Sequence, residues 1–310
     1  MYIILNNMKV FIIGHNGWIG KKFCNILDDN NINYKYSNLR AEDDNILKEI
    51  LEYNTTHLYC CSGRTHGFIN NIKYNTIDYL EDPSTLKENI NDNLYVPLSL
   101  ALFSDKNNIH FTYIGTGCIF DDSITKFNEN DKPNFFGSNY SIVKGFTDML
   151  IKQTNALILR IRMPISSDNN ERNFITKITK YDKICSISNS MTVLDDMLPL
   201  CLKMMINKET GCYNFTNPGV ISHNEILELY TDIIDNKFKW ENFSINEQNK
   251  ILKSKRSNNH LDTSKLESKY DVKHIRMALY YSLEKMRKNN QELSIINDKL
   301  TTISNKLDNI

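Results

Sequence analysis

Residues Lys9 to Ile13 form an apolar, β-branched-rich run that ends at Gly14, and glycine recurs at Gly17 and Gly20. From Trp18 onward, Phe23, Ile26 and Leu27 share one helical face, so the opening reads as strand, glycine turn, helix. Glycines there let the backbone turn tightly and approach a pyrophosphate, whose charge is met by the free amides at the helix start. The spacing is G-x-x-G-x-x-G rather than G-x-G-x-x-G, and the alternative is a plain strand-to-helix turn. The flanking pattern favours a dinucleotide. The residues assigned to it are Gly14, Asn16, Gly17, Trp18, Ile19 and Gly20, joined by Ser62 and Gly63 beyond the third strand. A second strand near Tyr34 to Ser37 is followed by Arg40, where NAD-specific folds usually keep an acidic residue for the ribose. Arginine at that place suits the 2′-phosphate of NADP. Glu42, Asp43 and Asp44 crowd it, and an exposed loop arginine is the alternative.

Further strands are expected at His57 to Cys60, Ile109 to Gly115 and Ala156 to Ile161, with helices around Ile46 to Tyr53, Leu86 to Phe103 and Tyr140 to Lys152. Such alternation implies an α/β fold with a Rossmann-type, doubly wound parallel sheet, whose ligands bind beyond the carboxyl ends of the strands. Thr116 and Cys118 follow the fourth strand directly, and residues two apart share a face of extended chain. Tyr140 and Lys144, four apart on a helix, also share a face, where the ammonium can depress a phenol pKa normally near ~10. A hydroxyl, a phenol and a lysine in this order describe a nicotinamide-dependent carbonyl reductase, with a proton going to oxygen as hydride goes to carbon. Alone, a tyrosine four residues before a lysine is a common solvated helix face.

Lys plus Arg and Asp plus Glu both number 37, so no charge excess points to nucleic acid or to a membrane surface. A small-molecule substrate is the simpler expectation. The segment before Met8 is too short for a signal peptide and no apolar run reaches the ~18 residues of a membrane span, so the chain is expected in the cytoplasm. Seven scattered cysteines show neither a disulfide framework nor metal-type pairing. His66 and His223 are read as structural or surface residues, and no metal is expected.

An ordered series of motifs carries a resemblance: Thr116 to Phe120, Asn134 to Ser138 before Tyr140, Arg160 to Ser167, Arg172 to Lys177, Tyr213 to Gly219 and Arg256 to Asp262. The chain resembles the extended short-chain dehydrogenases/reductases and, within them, the plant-type nucleotide-rhamnose epimerase-reductases, over residues 8 to 285. More distantly it is similar to dTDP-4-dehydrorhamnose reductase and GDP-fucose synthase. The resemblance implies NADPH as cofactor and UDP-4-keto-6-deoxyglucose as substrate, delivered by a separate 4,6-dehydratase, with 3,5-epimerisation before 4-keto reduction to UDP-L-rhamnose. It implies Thr116, Tyr140 and Lys144 as the reducing set, Cys118 and Lys177 as the epimerising base and acid, and Thr116, Cys118, Asn173, Lys177 and Arg256 as substrate contacts. Cys118 also reads as a core residue, Lys177 as a solvated lysine and Arg256 as a surface arginine when each is taken alone. The competing functions are a reductase-only enzyme on dTDP- or GDP-linked sugars and a non-catalytic NADP-binding regulatory subunit.

Residues 8–164, with a returning strand near 212–216, are expected to form the cofactor domain, and 165–285 mainly a sugar-nucleotide domain. Residues 286–310 depart from the resemblance. Leu293, Ile296, Leu300, Ile303, Leu307 and Ile310 recur at three and four, a heptad seam for a homo-oligomer or for packing on the chain's own body.

Overall fold

The computed structural model describes residues 7–307. Six parallel strands form the central sheet: β1 (Lys9–Ile13), β2 (Asn33–Tyr36), β3 (His57–Cys60), β4 (His110–Thr116), β5 (Leu157–Ile161) and β6 (Gly211–Asn214). Their order is β6-β5-β4-β3-β1-β2. Every neighbouring pair is parallel, with Val10 opposite both Tyr34 and His57. The doubly wound expectation is met, and the strand order reverses between β1 and β3, where such sheets take their ligands.

Alternation along the strands sends side chains into two cores. Val10, Ile12, Tyr59, Leu157 and Leu159 pack with α1 (Trp18–Asp29) and a later helix, Leu194–Ile206. Phe11, Ile13, Leu58, Phe111 and Ile158 pack on the other face with α2 (Asn45–Glu52), α3 (Val96–Lys106) and α4 (Asn139–Ile151). The Leu194–Ile206 helix thus covers the sheet although its sequence lies within the stretch assigned to the sugar-nucleotide domain. A third core gathers Ile165, Ile175, Ile178, Ile226, Leu279 and Leu283. It joins α5 (Phe174–Ile178), the helix His223–Ile233 and the first turns of α6 (Ile275–Leu307).

One expected helical stretch differs in the structure. The segment Leu86 to Phe103 is not continuous: a helix at Leu86–Ile90 passes through a π-helical stretch at Asn91–Tyr95 before α3, which carries Pro97 in its first turn. Proline has no N–H to give the preceding turn, and a π-turn absorbs the mismatch. Asn93, held inside that turn, accepts the Arg64 amide at 2.9 Å and donates to the Arg64 carbonyl at 2.9 Å, fixing the chain that leaves β3. The tail is helical as expected, as the later turns of α6. Leu293, Ile296 and Leu300 are each more than half exposed on α6, so this part of the seam does not pack on the chain's own body. Ile310 lies outside the described residues, as do the side chains of Ile303 and Leu307.

Candidate active site

The glycine turn is a steric construction. Gly14 has φ +94°, and a Cβ there would stand 2.8 Å from the Ser62 amide nitrogen at the end of β3. On Gly20 a Cβ would stand 2.2 Å from the Gly14 carbonyl oxygen. The obstacles are backbone atoms, so neither position accepts a side chain without moving the sheet edge against α1. Gly17 caps α1, with its amide donating to the Gly14 carbonyl at 3.0 Å. The first-turn amides of Trp18, Ile19 and Gly20 have no carbonyl partner within the helix, and the helix dipole adds positive charge there. This cradle fits a dinucleotide diphosphate. Arg40, Ser62 and Gly63 line one cavity of about 220 Å³ beside it. Arg40 is 68% exposed and pairs with Glu42 at 2.6 Å, a surface ion pair weak enough for a phosphate to displace.

At the carboxyl end of β4, Thr116 is buried and its hydroxyl accepts the Cys118 amide at 3.1 Å, which turns the chain just past the strand. Facing it is Tyr140, near the start of α4. Ser138 begins that helix by accepting the Ser141 amide at 3.1 Å, and Asn139 is anchored to Leu80 and Glu81. Burial and the neighbouring Cys118 drive the Tyr140 phenol well above its ordinary pKa, and a hydrogen bond from Thr116 opposes the rise. Lys144, one turn on, is buried and donates to the Tyr113 hydroxyl while lying 4.6 Å from the centre of that ring. Burial pushes its ammonium down to about 8, against the pull of Cys60, Asp148 and Cys118. The phenol thus stands above its ordinary pKa rather than below it as the helical spacing suggested, and the Lys144 ammonium is held on Tyr113. Beneath α4, Asp148 takes both branches of the fully buried Arg160 guanidinium at 2.8 and 2.7 Å, locking α4 onto β5.

Cations gather around α5. Lys177 is half-buried on α5, its ammonium pushed down by burial and by Arg172 and Arg256, with Glu171 opposing. Arg256 meets Asp78 at 2.8 Å, and its charge is shared with that carboxylate. The bond returns the favour: against burial, Arg256 with Ser254 and Thr76 brings Asp78 to about 2. Asn173, expected to touch substrate, is corrected by the structure. It is fully buried and caps α5, accepting the Ile175 amide at 3.2 Å and the Ser166 amide at 3.3 Å while donating to the Ser166 and Asp168 carbonyls at 2.6 Å each. No donor or acceptor is left for a ligand. The indole of Trp18, likewise, is directed to protein: it donates to Asp168 at 3.0 Å.

His66 is the residue that sequence reasoning set aside and the fold brings in. Burial and the charges of Arg172, Arg64 and Lys177 push its imidazole down to about 4, so it is neutral at pH 7 among these cations. Its neighbour Thr65 accepts the Arg172 guanidinium at 3.3 Å. No local pattern marks His66; only the approach of two segments a hundred residues apart does. His223 is structural, its ring edge-on to Phe174 and its Nδ1 accepting the Ile187 amide at 3.4 Å.

A hydroxyl and a phenol meeting at a strand end, with a buried lysine one turn behind them and a diphosphate cradle on the same sheet edge, are the working parts of an extended short-chain dehydrogenase/reductase. The chain is 49% identical over 290 residues to a protein of Acanthamoeba polyphaga mimivirus, across 90% of this chain and 99% of the relative. The crystal structure of that virus's UDP-rhamnose synthase superposes with a TM-score of 0.86 at 49% identity, covering 90% of this chain and 99% of the other. A bifunctional dTDP-4-dehydrorhamnose 3,5-epimerase/dTDP-4-dehydrorhamnose reductase of Arabidopsis thaliana is 40% identical over 275 residues, 86% of this chain and 88% of the plant protein. The chain thus belongs to the nucleotide-rhamnose epimerase-reductase family. It also aligns at 43% identity with 40% of the length of an Arabidopsis protein named for UDP-glucose 4,6-dehydratase, 3,5-epimerase and reductase activities together. No family model matches the chain.

Proposed function

We propose that the chain converts UDP-4-keto-6-deoxyglucose to UDP-L-rhamnose, epimerising C3 and C5 and then reducing C4 with NADPH. The observation that carries the reading is the convergence of Thr116, Cys118 and Tyr140 at one strand end. A reductase has no need of the thiol. Protons beside a ketone are acidic because the enolate spreads its charge onto oxygen, where the Thr116 hydroxyl and Tyr140 phenol are placed to receive it. Cys118 takes a proton from carbon, and Lys177, across the cleft, returns one to the opposite face. Its lowered pKa suits a group that must give up its proton and regain it. NADPH, when bound, supplies the hydride for C4. Tyr140 delivers the matching proton to the C4 oxygen, and a phenol held well above its ordinary pKa keeps that proton until the oxygen becomes basic. Lys144 stands behind the phenol to restore it, and Arg256 with Asp78 lies where a diphosphate would pass.

The substrate requires a 4,6-dehydratase. The longer plant relative is named for that activity together with the other two, and we infer a separate dehydratase as the supplier for this chain. The exposed Leu293, Ile296 and Leu300 favour pairing of α6 with a second copy. The described residues contain no helix long and apolar enough to cross a membrane, and a cytoplasmic site of action suits a chain with free cysteines at all seven positions.

The test is incubation of the purified protein with UDP-4-keto-6-deoxyglucose and NADPH, with Cys118→Ala in parallel and products identified by NMR. UDP-rhamnose from the wild type, with altered or absent product from the variant, supports both activities. Binding of NADPH without consumption on UDP-, dTDP- or GDP-linked keto sugars refutes the enzyme and leaves a regulatory subunit.

A further inference from the structure

The chain from Ser166 to Asn173 joins β5 to α5, and one of its side chains grips the cofactor helix. Asp168 Oδ2 accepts the Trp18 indole at 3.0 Å and pairs with Lys22 Nζ at 2.6 Å. Trp18 and Lys22 are one turn apart on α1, and Trp18 is the first residue beyond the Gly17 cap. The other carboxylate oxygen accepts the Asn170 amide at 2.9 Å, which curls the backbone toward α5. Burial works to raise the Asp168 carboxyl, but the bonds from Lys22 and Trp18 outweigh it and hold the group below its ordinary pKa, as a carboxylate.

From there the connection to the epimerising wall is unbroken. The Asp168 carbonyl accepts the Asn173 amide group at 2.6 Å, and the Asn173 side-chain oxygen caps Ile175 at 3.2 Å. The Lys177 amide donates to the Asn173 carbonyl at 3.0 Å. α5 has five residues, too few to hold a helix by its own hydrogen bonds, so its place is set by this cap and by the core beneath it. Further along, Arg172 reaches Thr65 and Glu171 pairs with Lys73 at 3.0 Å, tying the same segment to the chain after β3. One hydrogen-bonded path therefore runs from the amides expected to face the cofactor diphosphate to the backbone that carries Lys177.

We infer that Asp168 is a positioning residue through which cofactor occupancy sets the place of Lys177, so that bound nicotinamide nucleotide speeds epimerisation, a half-reaction that consumes none. The functional consequence rests on the epimerase reading; the mechanical link does not. Coupling between two sites is reciprocal and commonly amounts to ~5–150-fold in affinity. Asp168 touches neither expected ligand, and its effect passes through α1 on one side and Asn173 on the other.

Two readouts test it on the full-length protein. The first is amide hydrogen exchange by mass spectrometry with and without NADP⁺. In the wild type, NADP⁺ protects both the Gly14–Gly20 turn and residues 166–178; in Asp168→Ala, saturated with NADP⁺, protection is confined to the turn. The second is formation of deuterated, C3- and C5-inverted keto sugar from UDP-4-keto-6-deoxyglucose in D₂O, with NADP⁺ in place of NADPH so that no reduction occurs. NADP⁺ is expected to tighten binding of the keto sugar by ~5-fold or more in the wild type and by less than ~2-fold in Asp168→Ala, and to raise the inversion rate in the wild type alone. Should Asp168→Ala fail to fold, Asp168→Asn keeps an acceptor for the indole and removes only the charge facing Lys22, and Trp18→Phe removes only the indole donor. Each is expected to lose part of the coupling. NADP⁺ protection that stays within the turn in the wild type, or that still spreads to residue 178 in Asp168→Ala, overturns the link. Spreading protection that Asp168→Ala abolishes, in a protein that takes up no deuterium, upholds the link and contradicts the epimerase reading instead.

Discussion

The Gly14–Gly20 turn and the Ser166–Lys177 segment meet where Asp168 holds Trp18 and Lys22 of α1, but they are built by opposite means. The turn is made by exclusion: a Cβ at Gly14 or Gly20 would run into backbone, so the sequence must carry glycine. The segment is made by attachment, through Asp168, Asn173 and Arg172 reaching α1, the start of α5 and Thr65. Exclusion leaves a mark in the residue type itself. Attachment does not, because Asp, Asn and Arg are as common on a solvated surface as in such a network.

The largest effect that would sharpen this contrast is expected from Lys177→Met. It removes the proposed proton donor and should lower inversion at the sugar carbons by ~10²–10⁴-fold, while NADPH affinity stays within about a factor of two. A fall in NADPH affinity of similar size would break the contrast. Next in size is Gly20→Ala. Forcing a methyl against the Gly14 carbonyl costs about 1–3 kcal/mol or more, so NADPH binding should weaken ~5–150-fold in a protein whose far-UV spectrum is unchanged. Asn173→Ala follows. It uncaps α5 and leaves buried partners at Ser166 and Asp168 unpaired, an expected loss of about 2 kcal/mol in denaturant unfolding with epimerisation reduced more than reduction.

The smallest effect concerns pH. Lys144 is depressed by burial to about 8, so in the protein without cofactor its proton is held below that value and lost above it. If the ammonium is the required form, kcat/KM for NADPH should be flat below pH 8 and fall by about tenfold per unit above it. Stability moves the opposite way from activity: the unfolded lysine still holds its proton between about 8 and about 10.5, so deprotonation in the fold makes Lys144 less destabilising as pH rises through that window. Lys144→Met should abolish both the activity and the limb.

The contrast also explains what could be read from the chain alone. All six strands, the parallel sheet and the Tyr140–Lys144 helix were legible because apolar periodicity and glycine position are local signals. The break at Asn91–Tyr95 was hidden, since a π-turn leaves the hydrophobic pattern nearly intact. Asn173 was legible as important but not as a cap, because ligand contact and helix capping call for the same side chain. Asp168 and His66 had no signal at all. Their surroundings come from segments 150 residues away in one case and about a hundred in the other, and nothing in either neighbourhood records that approach.

The central claim, that one pocket inverts two carbons before reducing a third, is tested most directly by running the complete reaction in D₂O with ordinary NADPH and locating the isotope by NMR. The account predicts UDP-rhamnose carrying deuterium at C3 and C5 and hydrogen at C4. A reduced 6-deoxy sugar with hydrogen retained at C3 and C5 would contradict it, showing a reductase in which Cys118 and Lys177 do no epimerisation.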